Sequence, residues 1–225
     1  MQAVILAAGK GTHLKPFTDT VPKSLIDVCG KPLLEHTFSV LPDNVEEILL
    51  VVGYFQEQIM EYFGSEWKGI PIRYVIQEEL LGTGAATHLV RDLVRGSFLV
   101  MNGDDLYAKS DLERLAGEAL GILLTQTKNP TVNAALLDDQ GNFVGLETGA
   151  PDQEIKWKVC GAYVLDERFF RYPLAEISVG DHKEFGLPQT LIPMSEDCRI
   201  SAVEATFWLP VGTNEQLEQA RRQCK

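Results

Sequence analysis

The first half of the chain alternates between short apolar runs and stretches with helical spacing. A run in which every position is hydrophobic predicts a strand buried on both faces of a parallel sheet. Between the runs, apolar positions recur with helical periodicity over 55–63 and 85–94, which predicts helices. This alternation predicts an α/β fold, a Rossmann-like, mostly parallel mixed sheet with helices on both faces. The predicted strands of this half are 3–8, 48–52, 72–76 and 97–101.

The second half of the chain is less regular. Apolar runs at 132–137 and 143–146 flank a polar turn, which predicts a hairpin. No repeat or linker interrupts the pattern, so we expect one domain over 1–225. Further strands are predicted at 160–165 and 200–207, and helices at 166–174, 185–193 and 213–222, the last with Thr213 as its N-cap.

Composition narrows the class of protein. The 225 residues carry 32 Asp and Glu against 20 Lys and Arg, a net charge of −12, which argues against a nucleic-acid partner. No apolar run approaches the ~20 residues that span a bilayer, so no membrane partner is expected. The four cysteines form no metal-binding pattern, and we interpret them as reduced thiols of a cytoplasmic protein.

A glycine-rich turn follows the first predicted strand. It runs through Gly9, Lys10, Gly11 and Thr12, and Lys15 lies just beyond. Glycines at the end of a parallel strand let backbone N–H groups approach phosphates, and the lysines add positive charge. The turn has neither the Gly-x-Gly-x-x-Gly pattern nor the Gly-Lys-Ser/Thr ending of a P-loop. On these residues alone, a phosphate loop and a plain strand-to-loop turn remain equal alternatives.

A longer series of motifs resembles the sugar-1-phosphate nucleotidyltransferases. That family reads L-A-A-G-x-G-T-R-L-x-P-L-T, then P-K-x-L and G-K-P-L/M, then a base-reading segment, a metal-binding G-D turn and a terminal V-G-T-P-E. The corresponding segments here follow in the same order across nearly the whole chain: 6–18, 21–25, 30–34, 77–86, 102–105 and 211–215. The chain ends where longer relatives add a left-handed β-helix, so the resemblance implies a bare catalytic-type domain.

The resemblance implies a fold, a reaction and a set of site residues. The fold is the nucleotide-diphospho-sugar transferase type, similar to GT-A. The reaction joins a nucleoside triphosphate to a sugar 1-phosphate, releases pyrophosphate and uses Mg²⁺ as cofactor. Because the family often forms dimers or tetramers, a homo-oligomer stays open. The implied residues are His13, Lys23 and Asp104 for catalysis, Leu6, Ala8, Gly9, Lys10, Gly11, Thr12, Lys23, Gln77, Gly82 and Thr83 for the nucleotide, Glu147, Thr148 and Val159 for the acceptor, and Asp104 with Asp105 for the metal.

Three positions depart from the family pattern. His13 replaces the signature Arg, Gly149 falls where a Lys grips the sugar phosphate, and Pro210 replaces the second metal carboxylate. These departures leave two hypotheses: an active enzyme with a rearranged acceptor site, or an impaired family member that binds nucleotide or sugar nucleotide as a sensor or regulatory subunit. Substitutes for the lost groups are Asp105 or Asp181 at the metal, and Lys156, Lys158, His182 or Lys183 at the sugar phosphate.

Overall fold

The computed structural model describes residues 1–128, 134–147, 156–180 and 182–223. The strands are β1 (Gln2–Ala7), β2 (Asp27–Val28), β3 (Lys31–Pro32), β4 (Glu47–Val52), β5 (Glu66–Trp67), β6 (Ile70–Ile76), β7 (Phe98–Asn102), β8 (Asp105–Tyr107), β9 (Gly121–Thr127), β10 (Ala134–Leu137), β11 (Phe143–Glu147), β12 (Lys156–Leu165), β13 (Ala175–Val179), β14 (His182–Gly186), β15 (Ser201–Glu204) and β16 (Trp208–Pro210). The α-helices are α1 (Leu33–Ser39), α2 (Gln56–Phe63), α3 (Gly82–His88), α4 (Lys109–Ala116), α5 (Leu187–Asp197) and α6 (Asn214–Arg222).

The main sheet has a parallel part and an antiparallel part. Its order is β11-β10-β12-β7-β1-β4-β6-β5, with β9 on β12 and β15 on β9. Strands β7, β1, β4 and β6 run parallel, whereas β10, β11 and β12 pair antiparallel. Strand β12 joins the two parts because it pairs with β7, β9 and β10. The predicted α/β class is therefore confirmed, and the mixed pairing lies in the second half of the chain.

Both faces of the sheet are buried, as the continuous apolar runs predict. Along β1, Ala3 and Ile5 belong to one core cluster, and Val4 between them belongs to the other. Helices α1, α2 and α4 cover the first face, and α3 with α5 cover the second. A third cluster packs α6 and β16 against the segment that follows the glycine-rich turn. Leu14 of this cluster lies three residues after Gly11 of the turn.

Several predicted elements have different bounds in the structure. The helix predicted over 166–174 is one 3-10 turn, Glu167–Arg171, whose N-cap Asp166 accepts from the Arg168 N–H. It ends because Tyr172 precedes a proline and is extended. The helix predicted from 185 begins at Leu187, after an unpredicted hairpin of β13 and β14. The helix predicted over 85–94 is α3 followed by separate turns, and the strand predicted over 200–207 is confined to β15.

Other expectations hold or fall outside the description. Thr213 caps α6 in a capping box with Gln216, as predicted. The predicted hairpin of β10 and β11 is present, and Asp138 closes its turn by accepting from the Asn142 N–H at 2.8 Å. The expectation of reduced thiols is wrong for Cys29, which is disulfide-bonded. No helix in the described ranges has the length and apolarity to cross a bilayer.

Candidate active site

The glycine-rich turn packs directly against Lys23. Gly11 has φ +62, and a Cβ there would lie 2.9 Å from both Lys23 Cβ and Thr18 Cγ2. The Thr18 hydroxyl donates to the Gly11 carbonyl at 2.9 Å, and the Leu14 N–H donates to the same oxygen. Gly9 is exposed and meets nothing within 4 Å. Gly11 therefore gives the turn its shape and holds it to the lysine, while Gly9 faces open space.

Lys23 forms an ion pair with Asp104. Their side chains are 14% and 32% exposed, so the pair is half-sheltered but reachable. Asp104 lies just after β7, and the glycine-rich turn lies just after the neighbouring parallel strand β1. The two turns are joined because the Gly103 N–H donates to the Leu6 carbonyl at 2.9 Å. Predicted residues 81 positions apart in sequence thus meet at one edge of the sheet, outside the carboxyl ends of its strands.

A cleft opens beside the glycine-rich turn at Lys10, with a volume of about 450 Å³. The buried Gln77 lies at its wall, just after β6, and its amide nitrogen donates to the Gly82 carbonyl at 3.5 Å. Gly53, which lines the cleft, packs closely against the backbone of Gln77, because a Cβ at Gly53 would lie 2.9 Å from the Gln77 carbonyl oxygen. The lining residues are Lys10, Gly53, Tyr54, Gln56, Ile76, Gln77, Glu78 and Leu80.

Gly82 and Thr83 face the hairpin of β13 and β14. At φ +89, a Cβ on Gly82 would lie 2.6 Å from the Phe185 carbonyl oxygen. The Phe185 N–H donates to the Leu81 carbonyl at 2.7 Å, and the Thr83 hydroxyl accepts from the Leu187 N–H at 3.1 Å. The space that the missing side chain leaves at Gly82 is filled by strand backbone. These two predicted nucleotide residues therefore join the cleft to the hairpin.

Asp105 is buried at the centre of a polar cluster. Its Oδ2 accepts from Asn102 Nδ2 at 3.2 Å, Tyr107 Oη at 3.3 Å and Trp208 Nε1 at 3.2 Å. Burial, followed by the neighbouring Asp104 charge, raises the pKa of Asp105 to about 7. The bond from Trp208 links Asp105 of β8 to β16. In this strand pair, Pro210 of β16 lies opposite Asp105.

The carboxylates near the glycine-rich turn bear on whether the site could hold Mg²⁺. In the described part of the chain, no group of three or more His, Cys, Asp or Glu side chains could hold a metal ion. Mg²⁺ is usually held by one or two carboxylates together with waters and substrate phosphates, so a full protein cage is not required. Asp104 is partly accessible and is paired with Lys23. The residues present therefore fit Mg²⁺ held by Asp104 and a bound phosphate.

Two predicted acceptor residues, Glu147 and Val159, lie on the antiparallel part of the sheet. Glu147 of β11 pairs with Ala134 of β10, which pairs with Lys158 of β12. Directly paired residues of antiparallel strands share a face, so Glu147 and Lys158 lie in one row. Val159 is the next residue on β12. Thr148, Gly149 and Asp181 fall outside the described residues.

His13 and Pro210, the two departures that the structure describes, do not join the Lys23 pair. His13 is exposed in the 3-10 turn Thr12–Leu14. Pro210 ends β16 and supplies no side-chain donor. Sequence reasoning missed Tyr54 and Gln56 at the cleft, and the Trp208 bond to Asp105. Gly53-Tyr54 directly follows a predicted buried strand, and this position was the available signal for the cleft.

Comparison with known proteins yields consistent matches. The sequence profile of a family described as nucleotidyl transferase matches residues 2–120. Bifunctional protein GlmU of Methanococcus maripaludis strain C5 is 41% identical over 216 residues, 94% of this chain and 51% of the relative. The UTP–glucose-1-phosphate uridylyltransferase AglF of Haloferax volcanii is 44% identical over 161 residues, 71% of this chain and 59% of the relative. The chain spans about half the length of the curated relatives it matches.

Solved structures share the fold at lower identity. A Bacillus anthracis protein, provisionally described as a glucose-1-phosphate thymidylyltransferase and crystallised with sucrose, has a TM-score of 0.85 at 22% identity. The alignment covers 100% of this chain and 95% of that one. HddC of Yersinia pseudotuberculosis, crystallised with GMP-PN, has a TM-score of 0.73 at 22% identity over 100% of this chain and 99% of the other.

Proposed function

The chain belongs to the nucleotidyl transferase family, and on that premise we propose that it joins a nucleoside triphosphate to a sugar 1-phosphate. A phosphate oxygen of the sugar 1-phosphate attacks the α-phosphorus in line. A new O–P bond forms while the bond from the α-phosphorus to the bridging oxygen breaks, and pyrophosphate leaves. The product is a nucleoside diphosphate sugar. Such chemistry depends on positioning and charge neutralisation more than on covalent help.

One observation carries this proposal. The glycine-rich turn, Lys23 and Asp104 meet at the carboxyl ends of β1 and β7, next to the cleft that contains Gln77. A triphosphate carries several negative charges, and the chain is acidic overall. Local donors therefore have to attract the substrate: backbone N–H groups of the turn, together with Lys10 and Lys23. The site supplies these donors in a single place.

Each residue at the donor side has a distinct role in this proposal. The turn from Gly9 to Thr12 surrounds the phosphates, and Lys23 leaves Asp104 to contact a phosphate oxygen. The Gln77 amide binds an edge of the base in the cleft. When bound, Mg²⁺ would be held by Asp104 and would neutralise charge on the phosphates. Asp105 fixes the turn that carries Asp104 through its contact with Trp208.

A pyrophosphate-release assay tests the proposal. UTP, dTTP, GTP, CTP and ATP are each combined with glucose 1-phosphate, mannose 1-phosphate and N-acetylglucosamine 1-phosphate in the presence of Mg²⁺. We expect release with at least one pair and none when the sugar phosphate is omitted. Absence of release with every pair would contradict the proposal. Binding of a nucleoside triphosphate by calorimetry without turnover would instead favour the impaired, regulatory family member.

A further inference from the structure

Lys158 is the third residue of β12 and lies beside the Trp208 indole. Its ammonium lies 5.0 Å from the centre of the Trp208 ring, and its side chain is only partly exposed. In the part of the chain that the structure describes, it has no ion pair with a carboxylate. A cation that is held over an indole and lacks a paired carboxylate retains its capacity to bind an anion.

The other candidates for the sugar phosphate are engaged or enclosed. His182 lies 3.0 Å from Glu184, and Lys183 pairs with Glu176 at 2.6 Å, both on the exposed hairpin. Lys156 is buried at the start of β12. Among the substitutes that the sequence suggests within the described ranges, Lys158 alone combines partial exposure with an available charge.

Lys158 also lies next to the reacting region. Trp208, beneath its ammonium, donates to Asp105, which follows Asp104 in the chain. Burial raises the pKa of the Cys160 thiol, the Asp105 charge raises it further, and the Lys158 charge lowers it. Asp105 and Lys158 therefore both act on the same buried thiol. In the paired row across the sheet, Glu147 lies two strands from Lys158, a Cα separation of about 10 Å.

We infer that Lys158 is the cation that binds the phosphate of the sugar 1-phosphate, held in place by the Trp208 ring. This inference rests on the proposed function and deepens it. The family resemblance puts the phosphate-binding lysine at position 149, which is glycine here. Lys158 lies on β12 and supplies the missing charge at the acceptor side. In this role, Lys158 binds the sugar 1-phosphate and does not contact the nucleotide.

The test compares Lys158→Met, Lys158→Arg and Lys68→Met. Methionine keeps most of the side-chain length and removes the charge, and arginine restores a cation. Lys68 is a matched control because its ammonium lies 5.2 Å from the centre of another indole, that of Trp67, at the far edge of the sheet. Steady-state kinetics with the nucleotide and sugar phosphate pair that gives most release measure KM for each substrate, and calorimetry measures nucleotide binding alone.

Lys158→Met is expected to raise KM for the sugar phosphate about 10- to 100-fold, the range for a lost charged hydrogen bond. KM and calorimetric affinity for the nucleotide stay within a factor of about two. Lys158→Arg recovers part of the loss, and Lys68→Met behaves as wild type. Equal KM values in Lys158→Met and wild type would overturn the inference and leave the proposed function standing.

If the wild type releases no pyrophosphate, the proposed function fails on its own, and binding of glucose 1-phosphate is then compared directly by calorimetry. Weaker binding in Lys158→Met than in wild type supports the inference. Equal binding, or no binding by either protein, overturns it.

Discussion

The donor side and the acceptor side of the site are built on different kinds of sheet. The donor side lies at the ends of parallel strands, where β1, β6 and β7 deliver the glycine-rich turn, Gln77 and Asp104 to one edge. The acceptor side lies on antiparallel strands, where residues in a row across β10, β11 and β12 share one face. On the proposed donor side, the turns after the strands position the side chains. On the proposed acceptor side, the pairing register of the strands positions them.

This difference concerns one of the three departures from the family pattern, position 149, since His13 follows the glycine-rich turn and Pro210 lies on β16. Turn residues at strand ends are locked by backbone contacts, such as those of Gly11 with Lys23 and Thr18. A side chain on the face of an antiparallel strand can be exchanged with less disturbance. The retained Gln77 and Asp104 directly follow parallel strands, whereas position 149 comes shortly after β11 in the sequence.

The largest expected effect is that of Lys23→Met, which removes a cation from the donor side. We expect kcat/KM to fall about 10²- to 10³-fold, because a preorganised donor to developing negative charge is lost. The pyrophosphate assay measures it. Lys109→Met is the control, since Lys109 also pairs with an aspartate, Asp43, on the surface. Equal activity in Lys23→Met and wild type would contradict the proposed role of Lys23 on the donor side.

Gly82→Ala tests the contact between the nucleotide cleft and the hairpin of β13 and β14. Alanine at φ +89 is strained, and its Cβ would also lie 2.6 Å from the Phe185 oxygen. We expect a loss of about 2–4 kcal/mol in the free energy of unfolding, measured by urea titration. Gly69→Ala has a similar φ of +85 with nothing within 4 Å, so it isolates the strain, about 1–2 kcal/mol. Equal losses of stability in Gly82→Ala and Gly69→Ala would show that the β13–β14 hairpin shifts to make room for the added methyl group.

Asp111→Asn loosens the acceptor side at a distance. Asp111 accepts from Thr206 N–H at 2.7 Å and Phe207 N–H at 3.1 Å, which fixes the segment leading into β16. We expect a loss of about 1–3 kcal/mol in unfolding free energy at pH 7. Burial pushes the pKa of Asp111 up, but hydrogen bonds from Arg114, Phe207 and Thr206 outweigh it and lower the pKa overall.

The pH dependence of Asp111→Asn follows from that direction. Because the folded pKa is below the ordinary value of 3.8, the stabilisation is complete above 3.8 and is lost as pH falls through the folded pKa. The stability difference between wild type and Asp111→Asn should be constant near neutral pH and shrink in acid. A difference that grows in acid would contradict the assignment.

Trp208→Phe has the smallest expected effect. It removes the indole bond to Asp105 but leaves a ring beneath Lys158. We expect a loss of about 1 kcal/mol in stability and a two- to fivefold rise in KM for the sugar phosphate, with KM for the nucleotide unchanged. Trp67→Phe, at the other edge of the sheet, controls for loss of an indole. A larger change in the nucleotide KM would place Trp208 on the donor side.

The first strand and its turn could be predicted from the sequence because they are local, whereas Lys23, Gln77 and Asp104 were suggested by the family resemblance. The apolar run 3–8 followed by Gly9 and Gly11 indicates both a strand and its turn, and the structure joins that turn to Lys23 and Asp104. The hairpin of β13 and β14 was missed because its strands have mixed, half-exposed residues without clear alternation. The contact of Lys158 with Trp208 joins residues 50 positions apart through side chains, which no periodicity reports.

The bend in β12 has a consequence for insertions and deletions. The register between β12 and β9 shifts between Val159 and Tyr163, around Gly161 with φ +70. A Cβ on Gly161 would lie 2.1 Å from Asn102 Nδ2, so this bend is fixed in place. Adding or removing one residue between Lys158 and Gly161 would turn Lys158 to the opposite face. The acceptor side can therefore change by substitution, one residue at a time, but not by a change in chain length.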